Sequence, residues 1–438
     1  MRDILIFAII FGALPFVFKR PWVGIMLWTW LAYMNPHRQA WGAAYDFPFS
    51  MVVGLVTIIA FVFSRDKKEM IWTRETVVLA IFIAWMFLTT QFAFYPELAA
   101  LQWNKVWKIH LMIFLVVMLI KNKEQINWMV WVIALSLGYY GVKGGIFTIM
   151  HGGQFRVQGP ADTFIGGNNE MALALVMLVP LIRYLHLQAT RAWVRLGLSS
   201  AMVLTGIAAI GSQSRGALVA LALMGLFLLM KTRNRFFTLF YMSVAIAIIV
   251  TIMPQEWRDR MNTIETYQQD DSALGRINAW HTAFNVAKSR ITGGGYEMFQ
   301  APIFRQYAPE PFRVHDVHSI YFEQIGEQGF IGFGLFMLLG LLTWYRANRI
   351  IKACKNDPER KWAADLAAMI QVSLVGYAAG GAFLGLSYWD LPYHLMITVV
   401  LTAKFSGLLD QKTQNPDMAV RDVRNSPAKW SGAHANRI

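Results

Sequence analysis

The chain has 438 residues, of which 56% are hydrophobic and 15% charged, with a net charge of +14. So small a charged share excludes an ordinary soluble domain, which carries about 25%. The cationic excess does not argue for nucleic acid, because much of it sits in short segments between apolar runs, where Lys and Arg set membrane orientation. The single cysteine, Cys354, excludes internal disulfides and lies in a basic loop of cytoplasmic type.

Apolar runs fall near residues 3–18, 21–34, 47–63, 76–93, 107–120, 126–150, 168–187, 194–210, 216–230, 236–253, 326–345, 362–386 and 391–409. Runs of this length are membrane helices. Strand-like alternation is absent, which argues against a β-barrel. The first run follows one arginine and lacks a small-residue cleavage site, so it is read as a retained helix. The first two runs are short, leaving twelve or thirteen crossings. The fold expected is an all-α polytopic membrane protein of about 12 transmembrane helices. Cations concentrate in alternate loops, from Lys19 and Arg20 to the segment Arg346–Lys361 and the tail beyond Lys404. Those loops are placed in the cytoplasm.

The opposite side then carries one long hydrophilic segment, Pro254–His318. A connection this long is usually functional. It has helix signals: Asp271 and Ser272 can cap ALGRINAWHTAFNVAKSR, with Ile277, Trp280 and Phe284 on one apolar face. Gly293–Gly295 in ITGGGY stop that helix. The expected organisation is a bundle at 1–253, the long loop at 254–318, further membrane helices at 319–409 and a polar, disordered tail at 410–438.

Three residues stand out for chemistry. Arg215 follows GSQS and opens an apolar run, so it sits at the positive end of a helix dipole on the side poor in cations. Such an arginine suits an anion, since Ser212 or Ser214 can cap the helix and its free N–H groups face the same way. Arg276 repeats the arrangement in the first turn of the loop helix. Two guanidiniums offer forked donors that can clamp a diphosphate. Their bland alternatives are a snorkelling arginine and a surface pair to Asp270 or Asp271. His318 opens the run that re-enters the membrane, where a helix N-terminus disfavours the charged imidazole and leaves a general base. His315, three residues earlier, competes for that task. With Asp316 the two histidines are weak evidence for zinc. Lys105 and Lys108 follow Trp103 on the outer face, and Arg156, Arg305 and Arg313 share that side. They suit lipid headgroups or substrate phosphates. No phosphate-binding glycine loop, nucleophile elbow or outer carboxylate pair is present, and few charges lie mid-span.

The pieces SRG at 214–216, GRINAW at 275–280, GGGYEMF at 293–299 and HSIYFEQIGEQGFIG at 318–332 stand in order along the chain. Together they resemble the O-antigen ligase and polymerase superfamily of bacterial inner membranes. The N-terminal RPWVGIMLWTWLAYMNPHRQAWGAAYDFPF is similar to the branch described as O-glycosylation ligases. Ser319 departs from the asparagine that many members carry after the histidine. The resemblance implies a glycosyltransferase at the periplasmic face, without cofactor or metal. The donor would be a glycan on undecaprenyl diphosphate and the acceptor a hydroxyl of lipid A–core oligosaccharide. Arg215 and Arg276 would hold the diphosphate, and His318 would take the acceptor's proton during inversion. Tyr296, His315, Arg313 and Lys108 complete the candidate substrate-binding set, with membrane lipids as the other partners. An O-antigen polymerase and a protein O-glycosylation ligase are the alternatives within the family. A polysaccharide or lipid transporter is the rival from another class, and it would favour internal repeats and mid-membrane polar residues.

Overall fold

The computed structural model describes residues 1–65, 68–231 and 271–409, with positions 236, 239, 254 and 255. The expected span at 236–253, most of 254–270 and the tail 410–438 lie outside the described residues. Regular structure among the described residues is helical, with no strand. Among the described residues six helices are long and apolar enough to cross a membrane, and Phe49–Phe63 and Arg215–Met230 are shorter apolar ones. The protein is therefore a multi-pass membrane protein.

Nine helices precede the gap: α1 (Arg2–Lys19), α2 (Pro21–Met34), α3 (Phe49–Phe63), α4 (Arg74–Gln91), α5 (Pro96–Leu119), α6 (Lys123–Met150), α7 (Asn168–Gln188), α8 (Ala192–Gly211) and α9 (Arg215–Lys231). After it come α10 (Asp271–Ser289), α11 (Ala301–Tyr307), α12 (Ile320–Cys354), α13 (Lys361–Gly380) and α14 (Asp390–Phe405). α5 starts well before the apolar run at 107–120. Pro96 fits its first turn, where a missing N–H costs nothing. Cys354 is the buried last residue of α12, not a loop residue.

α7 and α14 form the middle of the bundle, with nearly every side chain of α14 buried. α13 packs on α7, α9 and α12, and α10 lies along α12. The outer faces of α1, α3 and α8 expose Ile4, Leu5, Leu55, Val62, Leu196 and Val203, as lipid-facing surfaces do.

α12 is broken. Gly329 has φ 67° inside it, leaving the Gly326 and Glu327 carbonyls outside the helical ladder. The GGGY segment supplies their donors: Gly294 N–H bonds Gly326 O at 2.8 Å and Gly295 N–H bonds Glu327 O at 2.9 Å. Glu297 N–H adds a bond to Glu327 Oε1 at 2.8 Å. Gly293 and Gly295 also have positive φ, and a Cβ on Gly329 would stand 2.2 Å from Ile291 O. These glycines let two backbones meet where side chains would hold them apart. Arg290 fastens the same loop to the turn after α4, donating to Phe92 O and stacking 4.2 Å above the Phe94 ring.

α10 occurs as expected, but its buried face is not Ile277, Trp280 and Phe284. It is Gly275, Asn278, Ala279, Thr282, Ala283, Val286 and Ala287. Small residues there allow close approach to α12. The aromatics flank the contact instead: Trp280 stacks on Phe322 at 5.0 Å and Phe284 meets Phe330 edge-on at 5.5 Å.

Candidate active site

The turn between α8 and α9 is built from SQSRG. The Ser212 hydroxyl donates to Ala209 O at 2.6 Å and ends α8. Gln213 takes a left-handed conformation, φ 59°. Ser214 Oγ accepts from Ala217 N–H at 3.3 Å, capping α9 as expected. Arg215 is thereby fixed at the first position of α9, where free N–H groups and the helix dipole favour an anion. Two further contacts hold the turn. Gln213 Nε2 donates to Gly153 O at 3.0 Å, and Arg156 donates to Gln213 Oε1 at 3.4 Å. Asn168, at the start of α7, donates to Ser212 O at 2.9 Å.

GRINAW divides its work by position on α10. Gly275 lies against the His315 ring, where a Cβ would approach to 2.8 Å. Asn278 is buried and clamps the 310–313 turn: its Nδ2 donates to Glu310 O and Arg313 O at 2.8 Å, and its Oδ1 accepts from Glu310 N–H at 2.9 Å. Trp280 donates its indole N–H to Val317 O at 2.8 Å, one residue before His318. Arg276 faces a small cleft that Arg215 also lines, together with Asn169, Ser214, Gly216, Phe383 and Leu384. The two arginines are thus brought together from helices far apart in sequence, although Arg276 is the sixth residue of α10 and not in its first turn as expected.

His318 stands just outside that cleft's lining, within electrostatic reach of Arg276. Its backbone is left-handed, φ 38°, a conformation that costs a non-glycine residue about 1–3 kcal/mol. The bond from Trp280 to Val317 and the start of α12, where Glu323 N–H bonds Ser319 O, hold it there. Burial holds the imidazole pKa below its usual 6.5; Arg276 and His315 add to this and Asp316 opposes it. Burial, rather than the helix start, leads the causes of that lowering. Asp316 Oδ2 lies 3.6 Å from His318 Nδ1 and orients the ring.

The other candidates divide. His315 is half-buried, bonded through Nδ1 to Asp316 O at 2.8 Å, with its ring 5.5 Å from that of His318. Arg313 closes the turn, pairing with Asp271 at 3.5 Å and Glu310 at 3.1 Å. That occupies Asp271, one of the two partners weighed for Arg276; the other, Asp270, lies outside the described residues. Tyr296 is fully buried against Tyr388, ring centroids 4.8 Å apart, and lines neither cleft described here. Lys108 lines a separate, larger cavity. Among the described residues no three His, Cys, Asp or Glu side chains are grouped to hold a metal ion.

Sequence reasoning missed Glu170, which lies within electrostatic reach of both Arg276 and Asp316. It also missed Asn169 and the 380–384 segment, which wall the cleft. The polar cluster IGGNNE before an apolar helix was the available signal. The Gly380–Leu384 wall gave none.

The segment holding Arg215, Arg276 and His318 matches a known family model: residues 200–337 match that of the O-antigen ligases. Over these residues the chain is similar to the O-antigen ligase superfamily. All three residues, and the motifs that position them, lie inside that match. Residues 1–190 match a family of unknown function. No curated protein matches the chain. The match to the O-antigen ligases supports a lipid-linked glycan ligase or polymerase, a family that implies lipid-linked glycans and membrane lipids as partners.

Proposed function

We propose that this protein is an O-antigen-ligase-type glycosyltransferase. It moves a glycan from undecaprenyl diphosphate to a hydroxyl of lipid A–core oligosaccharide, at the periplasmic face of the bacterial inner membrane. About twelve helices cross the membrane, and the 254–318 segment lies outside. The observation that carries the reading is the shared cleft of Arg215 and Arg276, with a neutral His318 beside Arg276.

Arg215 and Arg276 bind the diphosphate by paired N–H donors and by charge. His318 accepts the proton of the acceptor hydroxyl as its oxygen bonds to the anomeric carbon. The bond from that carbon to the diphosphate oxygen breaks, and undecaprenyl diphosphate leaves with the electron pair. Attack from the face opposite the leaving group inverts the anomeric centre. The guanidiniums balance charge that grows on the leaving oxygen, which is where electrostatic stabilisation counts most. No metal step is needed.

The test is reconstitution of the purified protein with a glycan on undecaprenyl diphosphate and lipid A–core, followed by analysis of the new linkage. The expected product is lipid A–core bearing the glycan with inverted anomeric configuration, formed equally in excess chelator. A retained configuration, or no product, contradicts the reading.

A further inference from the structure

The larger cavity, about 850 Å³, lies mostly in the segment matching the family of unknown function. That is the size of a ligand site, for which about 300–1,000 Å³ is usual. Its floor is α2, through Trp28 and Ala32, and α3 and α5 both pack on α2. Met51, Leu55 and Ile58 of α3 face Ile109, Leu111 and Met112 of α5 as apolar walls. Met51 and Leu55 are half exposed, so the α3 wall continues onto the lipid-facing surface.

Lys105 and Lys108 stand at the cavity's mouth. With Ile109 and Met112 they follow helical spacing along one stripe of α5, cations toward its start and apolar groups toward its end. Both lysines are exposed, and among the described residues neither has a carboxylate partner. Lysines on an otherwise apolar helix are expensive and mark functional surfaces. Arg38, also at the mouth, is already engaged: it lies 3.9 Å from Asp46 and 3.7 Å from Asp162, and stacks over Tyr45. Asp390 is the third carboxylate on the lining. His37 lines the cavity with its Nδ1 buried and without a hydrogen-bond partner among the described residues. Burial, helped by Arg38, lowers its pKa to about 4, so a neutral ring offers a hydrogen bond to an uncharged hydroxyl.

The cavity and the arginine cleft have no lining residue in common, but two chain segments run from one to the other. Asp162–Ile165 line the cavity and Asn169 the cleft, a few residues on. Leu384 lines the cleft, and Trp389 and Asp390 line the cavity.

The geometry points to a second lipid site in this cavity, where a phosphorylated glycolipid, the acceptor, lies with its chain between α3 and α5 and its phosphate on Lys105 and Lys108. This rests on the transferase reading, because a transfer between two lipids needs a site for each. It assigns the N-terminal segment the task of holding the acceptor.

The test uses the full-length protein in phosphatidylcholine nanodiscs, titrated with fluorescent lipid A, with the same lipid after dephosphorylation, and with undecaprenyl diphosphate. The double variant Lys105→Glu, Lys108→Glu should weaken lipid A binding by about tenfold or more, since each cation beside an anionic head counts. Binding of dephosphorylated lipid A and of undecaprenyl diphosphate should be unchanged in that variant. Leu111→Trp, which fills the apolar wall, should weaken both forms of lipid A. Unchanged lipid A binding in the double variant overturns the proposal. Loss of undecaprenyl diphosphate binding alone overturns it too, and gives the cavity to the donor. Competition by phosphatidylglycerol at equal concentration reduces it to an ordinary headgroup contact, and so also overturns it. If the double variant does not fold, Lys105→Gln with Lys108→Gln carries the same comparison. The transferase reading fails separately, if wild-type protein binds both lipids and transfers nothing.

Discussion

His318 combines three properties that rarely meet: a left-handed backbone, a partly buried ring and a carboxylate 3.6 Å from Nδ1. A base must be neutral to accept a proton, and the folded protein lowers this imidazole's pKa below 6.5. Transfer should therefore be sustained at neutral pH and fall only as pH drops through that lowered value. A pH–rate profile with its acid limb above 6.5 contradicts the assignment. His318→Ala should cost about 10²–10⁴ in rate, the usual worth of a positioned base. His315→Ala should keep substantial activity, because the Nδ1 of that ring is already bonded to backbone. Arg215 and His318 stand out in sequence because each places a cation or imidazole where an apolar helix begins, and Arg276 because it lies near the capped end of the loop helix. Glu170 and the 380–384 wall do not, because nothing in periodicity says which distant segments meet. Nor does periodicity say that Tyr296 and Lys108, both in the candidate substrate-binding set, stand outside the arginine cleft.

α10 shows what helical periodicity can and cannot give. The helix and its glycine stop follow from ALGRINAW and GGG. Its buried face does not, because the large residues that dominate an apolar moment are displaced to the flanks by close packing on α12. Trp280 retains a stack on Phe322 and a bond to Val317 O. Trp280→Phe keeps the first and removes the second. The lost bond is worth about 1 kcal/mol. Transfer rate should fall several-fold with donor affinity unchanged, read from kinetics and binding on the same preparation. The break in α12 is a stronger constraint. Gly329→Ala puts a methyl group against Ile291 O at a left-handed position. It should destabilise the protein by about 1–3 kcal/mol, seen as a lower thermal midpoint in detergent. The same midpoint as wild type would mean that the junction relaxes without cost.

At the scale of the whole molecule, the placement of charge predicts orientation. The 254–318 segment is expected outside the cytoplasm and the 346–361 segment inside. Native Cys354 cannot report this, since it is buried at the end of α12. Exposed positions can: Phe312→Cys should react with an impermeant thiol reagent added from the periplasmic side, and Glu359→Cys should not. The reverse pattern would place the cleft on the wrong side for the proposed donor. That the chain is a helical membrane protein follows from composition and run length alone. The helix count is less legible: α5 carries Lys105 and Lys108 inside its apolar stretch, and α2 and α14 are short.

The central claim is a division of labour: two arginines hold the diphosphate and one histidine moves the proton. Binding of undecaprenyl diphosphate, measured with transfer on the same purified variants, tests it most directly. Arg215→Ala and Arg276→Ala should lose both, with partial recovery in the Arg→Lys forms, because a point charge lacks the forked donors. His318→Ala should lose transfer and keep the donor. Wild-type donor binding in either arginine variant, or loss of donor binding in His318→Ala equal to its loss of transfer, would contradict the account.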